Sequence, residues 1–266
     1  MNANRYFAAD TPAESELERL ECLSHIFDPV TTQRLRSLGV AAGWQCLEVG
    51  AGAGSIAQRL SDWVGAEGRV VAADLDPRFL HAGSRSNLEI RQFDVLRDDL
   101  ELGRYDLVHC RTLLMHLPEP SAALERMAAA VKPGGWLVIE EGDLTTCAAA
   151  DPAHPRSAAF DRISRAITAA THASGALDCY FGRRLRDLVE RPGWSETGHD
   201  GATFIHRGGE RGARFFQMSS RLVADKLAAA GKLSEADRDE HHAAYEDASF
   251  SFAGMTLFGA WARRND

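Results

Sequence analysis

Hydrophobic positions along the chain follow two rhythms. Leu17, Leu20, Leu23 and Ile26 recur at three-residue spacing, which marks one face of a helix. Asp28 followed by Pro29 then reads as the cap and first position of a second helix. Beyond these, short apolar runs take over at Gln45–Gly50, Arg69–Asp74, Leu88–Phe93, Tyr105–Cys110 and Trp136–Glu140. Each is too continuous for a strand with one wet face, which predicts five parallel strands buried on both sides. Helical stretches are expected between them near Ser55–Val64, Pro77–Ser86 and Ser121–Val131, with Lys132-Pro-Gly-Gly135 breaking the last before its strand. This alternation is that of βαβ units, so the fold class is α/β with a doubly wound sheet.

After Ala148 the rhythm changes. An Ala, Pro and His-rich stretch leads into a helix striped by Phe160, Ile163, Ile167 and Ala170, which predicts a helical insertion or lid. The late apolar segments Thr197–His206 and Phe252–Arg263 are expected to complete the sheet. Ser234-Glu-Ala-Asp237 between them opens a helix as a capping box. The organisation read from these patterns is an N-terminal helical segment (1–38), an α/β core (39–150), a helical lid (151–192) and the remainder of the sheet with helices (193–266).

Composition narrows the class without changing it. The chain has 266 residues, 45% hydrophobic and 26% charged, which excludes disordered and fibrous proteins. No run approaches the ~20 apolar residues of a membrane span, and Met1 to Asp10 lack the pattern of a secretory signal, so a cytoplasmic address is expected. Five scattered cysteines without C-x-x-C spacing predict neither disulfides nor a zinc site. A net charge of -8 argues against nucleic acid as a partner. The nearest basic cluster, Arg183, Arg184, Arg186 and Arg191, is interleaved with Asp187 and Glu190 and reads as a solvated helix face.

Candidate chemistry centres on Cys46-Leu-Glu-Val-Gly-Ala-Gly-Ala-Gly-Ser55, a strand running into alternating glycines and then a helix. Gly50, Gly52 and Gly54 strip Cβ atoms from the turn, so a ligand can lie against bare peptide at the carboxyl edge of the first strand, where α/β sheets bind. The G-x-G-x-x-G dinucleotide pattern is broken, because Ser55 stands where its last glycine belongs. Glu48 would repel a pyrophosphate but can orient a cationic ammonium. Asp74, 20 residues beyond Gly54, stands where a ribose diol acceptor is expected. Asp94, at the end of the third strand, can accept from an adenine amine.

Together, Glu48-x-Gly50-x-Gly52-x-Gly54, Asp74, Phe93-Asp94 and Lys132-Pro-Gly-Gly135 resemble the class I S-adenosylmethionine-dependent methyltransferases over roughly residues 40–142. The resemblance implies a mostly parallel seven-stranded sheet whose final strand is antiparallel and inserted between the fifth and sixth. It implies a cofactor site in which Glu48, Gly50, Ala51 and Gly52 face the methionine part and Asp74 the ribose. Leu75 would meet the adenine face, and Asp94 with Val95 its edge, while Cys110 and Arg111 border the methionine. Arg111 to Pro118 resembles the substrate-facing stretch of small-molecule members and lacks the Asn/Asp-Pro-Pro-Tyr/Phe motif of base-modifying ones.

The acceptor side is read more sparsely. His116, just past the fourth strand, is the candidate general base, with a loop hydrogen bond as its other role. Tyr6 and Phe7 are candidate lid residues, and Glu141 and Asp143 candidate substrate contacts after the fifth strand. No metal is expected, since carboxylates are not assembled after the fourth strand. The expected activity is methyl transfer from S-adenosylmethionine, leaving S-adenosylhomocysteine, to an O, N or C atom of a small molecule such as a secondary metabolite. The competing readings are an NAD(P)-dependent oxidoreductase and a noncatalytic sensor of the same cofactor. The chain is expected to be a monomer or homodimer.

Overall fold

The computed structural model of the chain describes Ala8 and residues 11–266; Tyr6 and Phe7 lie outside the described residues. The first half contains α1 (Ala13–Ser37), β1 (Gln45–Val49), α2 (Ser55–Val64), β2 (Arg69–Asp74), β3 (Leu88–Gln92), β4 (Tyr105–Arg111), α3 (Pro120–Ala130) and β5 (Val131–Asp143). The second half contains β6 (Ala148–Ala149), α4 (Ser157–Ala173), α5 (Leu185–Val189), β7 (Trp194–Ala202), β8 (Ile205–Arg207), α6 (Arg211–Ala229), α7 (Glu235–Ala244), β9 (Ser251–Ala253) and β10 (Thr256–Arg264). The chain divides into two compact units: Phe27–Glu141, Phe181–Gly201 and Phe258–Asp266 form one, and the described part of Met1–Ile26, Gly142–Tyr180 and Ala202–Leu257 the other. Among the described residues no helix is long and apolar enough to cross a membrane.

The first unit is built on a seven-stranded, mostly parallel sheet with one antiparallel strand, in the order β3-β2-β1-β4-β5-β10-β7. The insertion of the final strand next to β5 is therefore as expected. β1 pairs in parallel with β2 and β4, and β4 with β5, which brings the carboxyl ends of the central strands to one edge. On one face, Cys46, Val70, Leu107, Trp136 and Val138 pack with Leu35 of α1 and with Ile56, Leu60 and Val64 of α2 as a buried apolar cluster.

Four expectations are corrected. The two N-terminal helices are one, because α1 runs through Pro29. Pro29 and His25 are both exposed, so the carbonyl that the proline cannot bond faces water, and Asp28 is buried and occupied elsewhere rather than capping. The helix expected over Pro77–Ser86 is a single 3₁₀ turn, Pro77–Phe79, after which Leu80 is extended and Gly83 takes φ +60°. β3 is the sheet edge, with only its first residue buried, and not a strand enclosed on both faces. Lys132 to Gly135 belong to β5, where they form an irregularity between the pairs Tyr105–Val131 and Leu107–Trp136.

In the second unit, α4 buries Phe160, Ile163 and Ile167, and Ile163 and Ile167 pack against Ala224 of α6 and Leu233. Ser234 caps α7 as expected, its hydroxyl accepting from the Asp237 N–H at 3.0 Å. A small sheet of order β6-β9-β8 sits here. It explains a further correction: each of the two late apolar segments, expected to be one strand, is cut in two. Thr197–His206 becomes β7 and β8, Phe252–Arg263 becomes β9 and β10, and in each case one piece joins the large sheet and the other the small one. Threonines tie the cuts together. The Thr203 and Thr256 hydroxyls lie 2.6 Å apart, and the Thr146 hydroxyl accepts from the Thr256 N–H at 2.7 Å, so side chains take over hydrogen bonding where the ladders stop.

Candidate active site

The glycine turn follows β1 directly. Gly50, Gly52 and Gly54 adopt φ of 71°, 56° and 82°, a region that side-chain-bearing residues rarely enter. A Cβ at Gly50 would meet Leu113 at 3.1 Å, so the glycine is required by crowding as well as by conformation. Asp74, at the end of β2, braces this turn: one carboxylate oxygen accepts from the Gly52 N–H at 2.8 Å and the other from the Asp76 N–H at 2.9 Å. Burial pushes the Asp74 carboxyl above the ordinary carboxylate range, with the N–H groups of Asp76 and Gly52 pulling the other way. Next to it, Leu75 is 60% exposed, a large apolar side chain left uncovered at the strand edge. Asp94 accepts from the Leu96 N–H at 2.9 Å, and Val95 is buried, its carbonyl accepting from the Arg126 side chain.

Glu48 is buried beside the turn and faces β4, where Nδ1 of His109 lies 2.6 Å from its Oε2. His109 has no exposed surface, and its Nε2 is 3.4 Å from Oε2 of the equally buried Glu140 on β5. α1 closes this cluster from above with residues three apart. Arg34 pairs with Glu140 and with Asp200, Thr31 donates to Glu140, and Asp28 receives Arg111 at 3.0 Å and the Ser55 hydroxyl at 3.0 Å. Arg111 also donates to Thr31 at 3.0 Å. Gly259 on β10 leaves the space that the Arg34 guanidinium fills. The carboxyl-terminal half of the sheet face is thus a network of acidic and basic side chains in alternation, sealed under a helix.

At the end of β4, Cys110 is fully buried and its thiol is pushed up by desolvation, so its side chain offers no surface to a ligand. Thr112 then takes φ +49°, an outlier for a β-branched residue, with its N–H donating to the Glu140 carbonyl at 2.7 Å. The next residues form a 3₁₀ turn, Leu114–His116, that carries half-buried His116. Glu141, fully buried, accepts from the N–H groups of Leu113 at 2.9 Å and Leu114 at 2.6 Å. Its carboxylate is turned to the backbone that holds His116. Asp143 is also buried, and it caps the 3₁₀ turn Leu144–Thr146 by accepting from the N–H and hydroxyl of Thr145.

The structure thus brings Glu48, the glycine turn, Asp74, Leu75 and the end of β4 to the edges of β1, β2 and β4. Four residues of this region went unread in the sequence: Thr31, Arg34, His109 and Glu140. Two signals were available, namely the polar spacing Asp28, Thr31, Arg34 on a helical face, and a histidine or glutamate inside otherwise apolar strands.

Residues 47–137, from the middle of β1 into β5, match the family model of a methyltransferase domain. The chain carries a class I, S-adenosylmethionine-dependent methyltransferase domain. Among curated proteins it is 30% identical over 183 residues to methyltransferase str3 of Strobilurus tenacellus, covering 67% of this chain and 63% of that one. It is 31% identical over 132 residues to the ubiquinone biosynthesis O-methyltransferase of Bordetella avium (strain 197N), covering 47% of this chain and 52% of that protein. The chain therefore spans between half and two thirds of the length of these relatives. In architecture the methyltransferase domain and its surroundings are similar to Haemonchus contortus phosphoethanolamine N-methyltransferase 2, solved with S-adenosyl-L-methionine. That likeness has a TM-score of 0.58 at 14% identity, covers 100% of this chain and 60% of the other, and is one of fold.

Proposed function

We propose that the chain transfers the methyl group of S-adenosylmethionine to a small-molecule acceptor and releases S-adenosylhomocysteine. The observation that carries this reading is the junction of the glycine turn with Asp74. The residues there suit the cofactor: the turn carries no Cβ at Gly50, Gly52 and Gly54, and a carboxylate has about four acceptor positions, of which Asp74 uses three on the N–H groups of Gly52, Leu75 and Asp76. The position that stays open can accept from a ribose hydroxyl. Glu48, Gly50, Ala51 and Gly52 would hold the methionine portion, with the backbone of Cys110 and Arg111 beside it. The exposed Leu75 side chain would cover the adenine face, and Asp94 with Val95 its edge.

When bound, the cofactor supplies an electrophilic methyl group on a sulfonium that departs as a neutral thioether. What remains for the protein is alignment and exclusion of water. His116, on the turn held by Glu141, accepts a proton at a ring nitrogen when the acceptor atom must lose one. A hydroxyl acceptor is one case that calls for such a base, and the similarity to an O-methyltransferase favours it.

Calorimetric titration with S-adenosylhomocysteine, S-adenosylmethionine and NAD tests the reading. Binding of the first two without NAD is expected, and binding of NAD alone overturns it. Asp74→Ala should weaken S-adenosylhomocysteine by about 1.5–3 kcal/mol, the usual cost of losing hydrogen bonds to a charged group; unaltered affinity removes Asp74 from the site.

A further inference from the structure

The His109 imidazole lies in the heart of the sheet, away from the reacting atoms, and the cofactor reading gives it no task. Its surroundings do. Nδ1 is 2.6 Å from Oε2 of Glu48, and Nε2 is 3.4 Å from Oε2 of Glu140. Glu140 is itself fixed by Arg34 and Thr31, and Arg34 by Asp200. A cluster of two carboxylates and an imidazole buried here costs desolvation that an apolar set of the same volume would not, so stability gives little reason for the cluster as a whole. The ring does hold Glu48 to one rotamer. Its register neighbour on β1 is Glu48 itself, two residues before Gly50, and His109 is the hydrogen-bond partner of that carboxylate among the described residues. One oxygen of Glu48 is thereby fixed and the other left to a ligand at the glycine turn.

We propose that His109 is a positioning residue for ligand recognition: through its Nδ1 contact it aims the Glu48 carboxylate at the ammonium group of an amino-acid-bearing nucleoside. This rests on the proposed function, since it presumes that such a nucleoside occupies the turn. It differs in what it demands. The effect of His109 must be confined to the amino-acid end of the ligand and must leave the adenine and ribose end alone.

The test is a pair of ligands measured by calorimetry on the full chain. S-adenosylhomocysteine carries the ammonium; 5′-methylthioadenosine has the same adenine, ribose and thioether without it. In His109→Phe, S-adenosylhomocysteine should weaken about tenfold or more, as for the loss of a charge-assisted bond, while 5′-methylthioadenosine changes by less than about twofold. His109→Gln, which can still donate to Glu48, should recover most of the loss. Glu48→Gln, which keeps the shape and removes the charge, should reproduce the selective loss. Equal weakening of both ligands in His109→Phe marks a merely structural residue and overturns the proposal, as does no change in either. Should His109→Phe fail to fold, His109→Met takes its place: a selective loss of S-adenosylhomocysteine that His109→Gln restores supports the proposal. A nonselective loss in either variant overturns it. Failure of the unaltered protein to bind S-adenosylhomocysteine defeats the proposed function instead, which keeps the two apart.

Discussion

One face of the large sheet changes character halfway along its strands. Cys46, Leu107, Trp136 and Val138 in the first half pack against Leu35, Leu60 and Val64, an ordinary apolar core. Two residues further along the same strands and on the same face stand Glu48, His109 and Glu140, with Arg111 beyond, under Asp28, Thr31 and Arg34. The apolar half gains from removing carbon from water, whereas the ionic half pays desolvation that its own pairing only offsets. Only the second half adjoins the edge where α/β sheets bind ligands. The difference indicates that the ionic half is kept for geometry at that edge, and the apolar half for stability.

The sharpest way to break this contrast is to remove the cation at its centre. Arg34→Ala leaves Glu140 fully buried without its counter-charge, and loss of one partner of a buried pair costs about 3–5 kcal/mol. Urea unfolding should register about 4 kcal/mol, and a loss under about 1 kcal/mol would mean that water already compensates Glu140. On the apolar side, Leu60→Ala should cost about 3 kcal/mol through transfer and cavity terms. The two halves then separate by function: Leu60→Ala should leave S-adenosylhomocysteine affinity unchanged, since Leu60 lies within the apolar cluster and carries none of the polar groups proposed to hold the ligand. Calorimetry on the folded variant checks this, and a parallel fall in affinity would erase the division.

The two halves were also unequally legible in the sequence. Strand β2 and helix α2 were found residue for residue because buried runs and an amphipathic period announce themselves. The glycine turn was legible because three alternating glycines have few other uses. The ionic half was not. Asp28 before Pro29 obeys the grammar of a helix start, and only the tertiary partner Arg111 reveals that the helix continues and the aspartate faces the sheet. His109 and Glu140 sat inside apolar runs, and partners 61 and 31 residues apart cannot be paired from spacing. Nor did anything local divide the late strands, since the Thr146, Thr203 and Thr256 contacts join segments 53 and 110 residues apart.

A histidine buried among aromatic rings sharpens the contrast with one buried among carboxylates. In the second unit, His241 stacks on Phe160 at 5.2 Å between centroids, meets Tyr245 edge-on, and faces the Ser164 hydroxyl at 3.0 Å. Burial, with a smaller contribution from His242, pulls its pKa from 6.5 down to about 3. The folded value lies below the unfolded one, so between these limits the unfolded chain holds a proton that the folded chain excludes. Stability therefore falls as pH drops below about 6.5, by up to about 1.4 kcal/mol per pH unit for this group. His206 and His242, also lowered by burial, act in the same direction. Urea midpoints at pH 7 and 5.5 should show this loss reduced in His241→Phe; an identical slope would place the acid sensitivity elsewhere.

The smallest effect is expected where the ionic half ends. Thr112 holds φ +49° directly after Arg111, in a conformation that costs a β-branched residue on the order of 1–3 kcal/mol. It is forced there because its own N–H is bonded to the Glu140 carbonyl, while Glu141 grips the N–H groups of Leu113 and Leu114. Glycine at this position relieves the strain but gives the unfolded chain more freedom, worth roughly 0.5–1 kcal/mol in the other direction. Thr112→Gly should thus raise stability by about 1 kcal/mol in urea unfolding. If the strain serves to aim the turn that carries His116, turnover should fall although the protein has become more stable, with S-adenosylhomocysteine affinity retained. A variant both more stable and equally active would mean that Glu141 alone fixes the turn, and that the strain at Thr112 is a by-product of the strand's exit rather than part of the site.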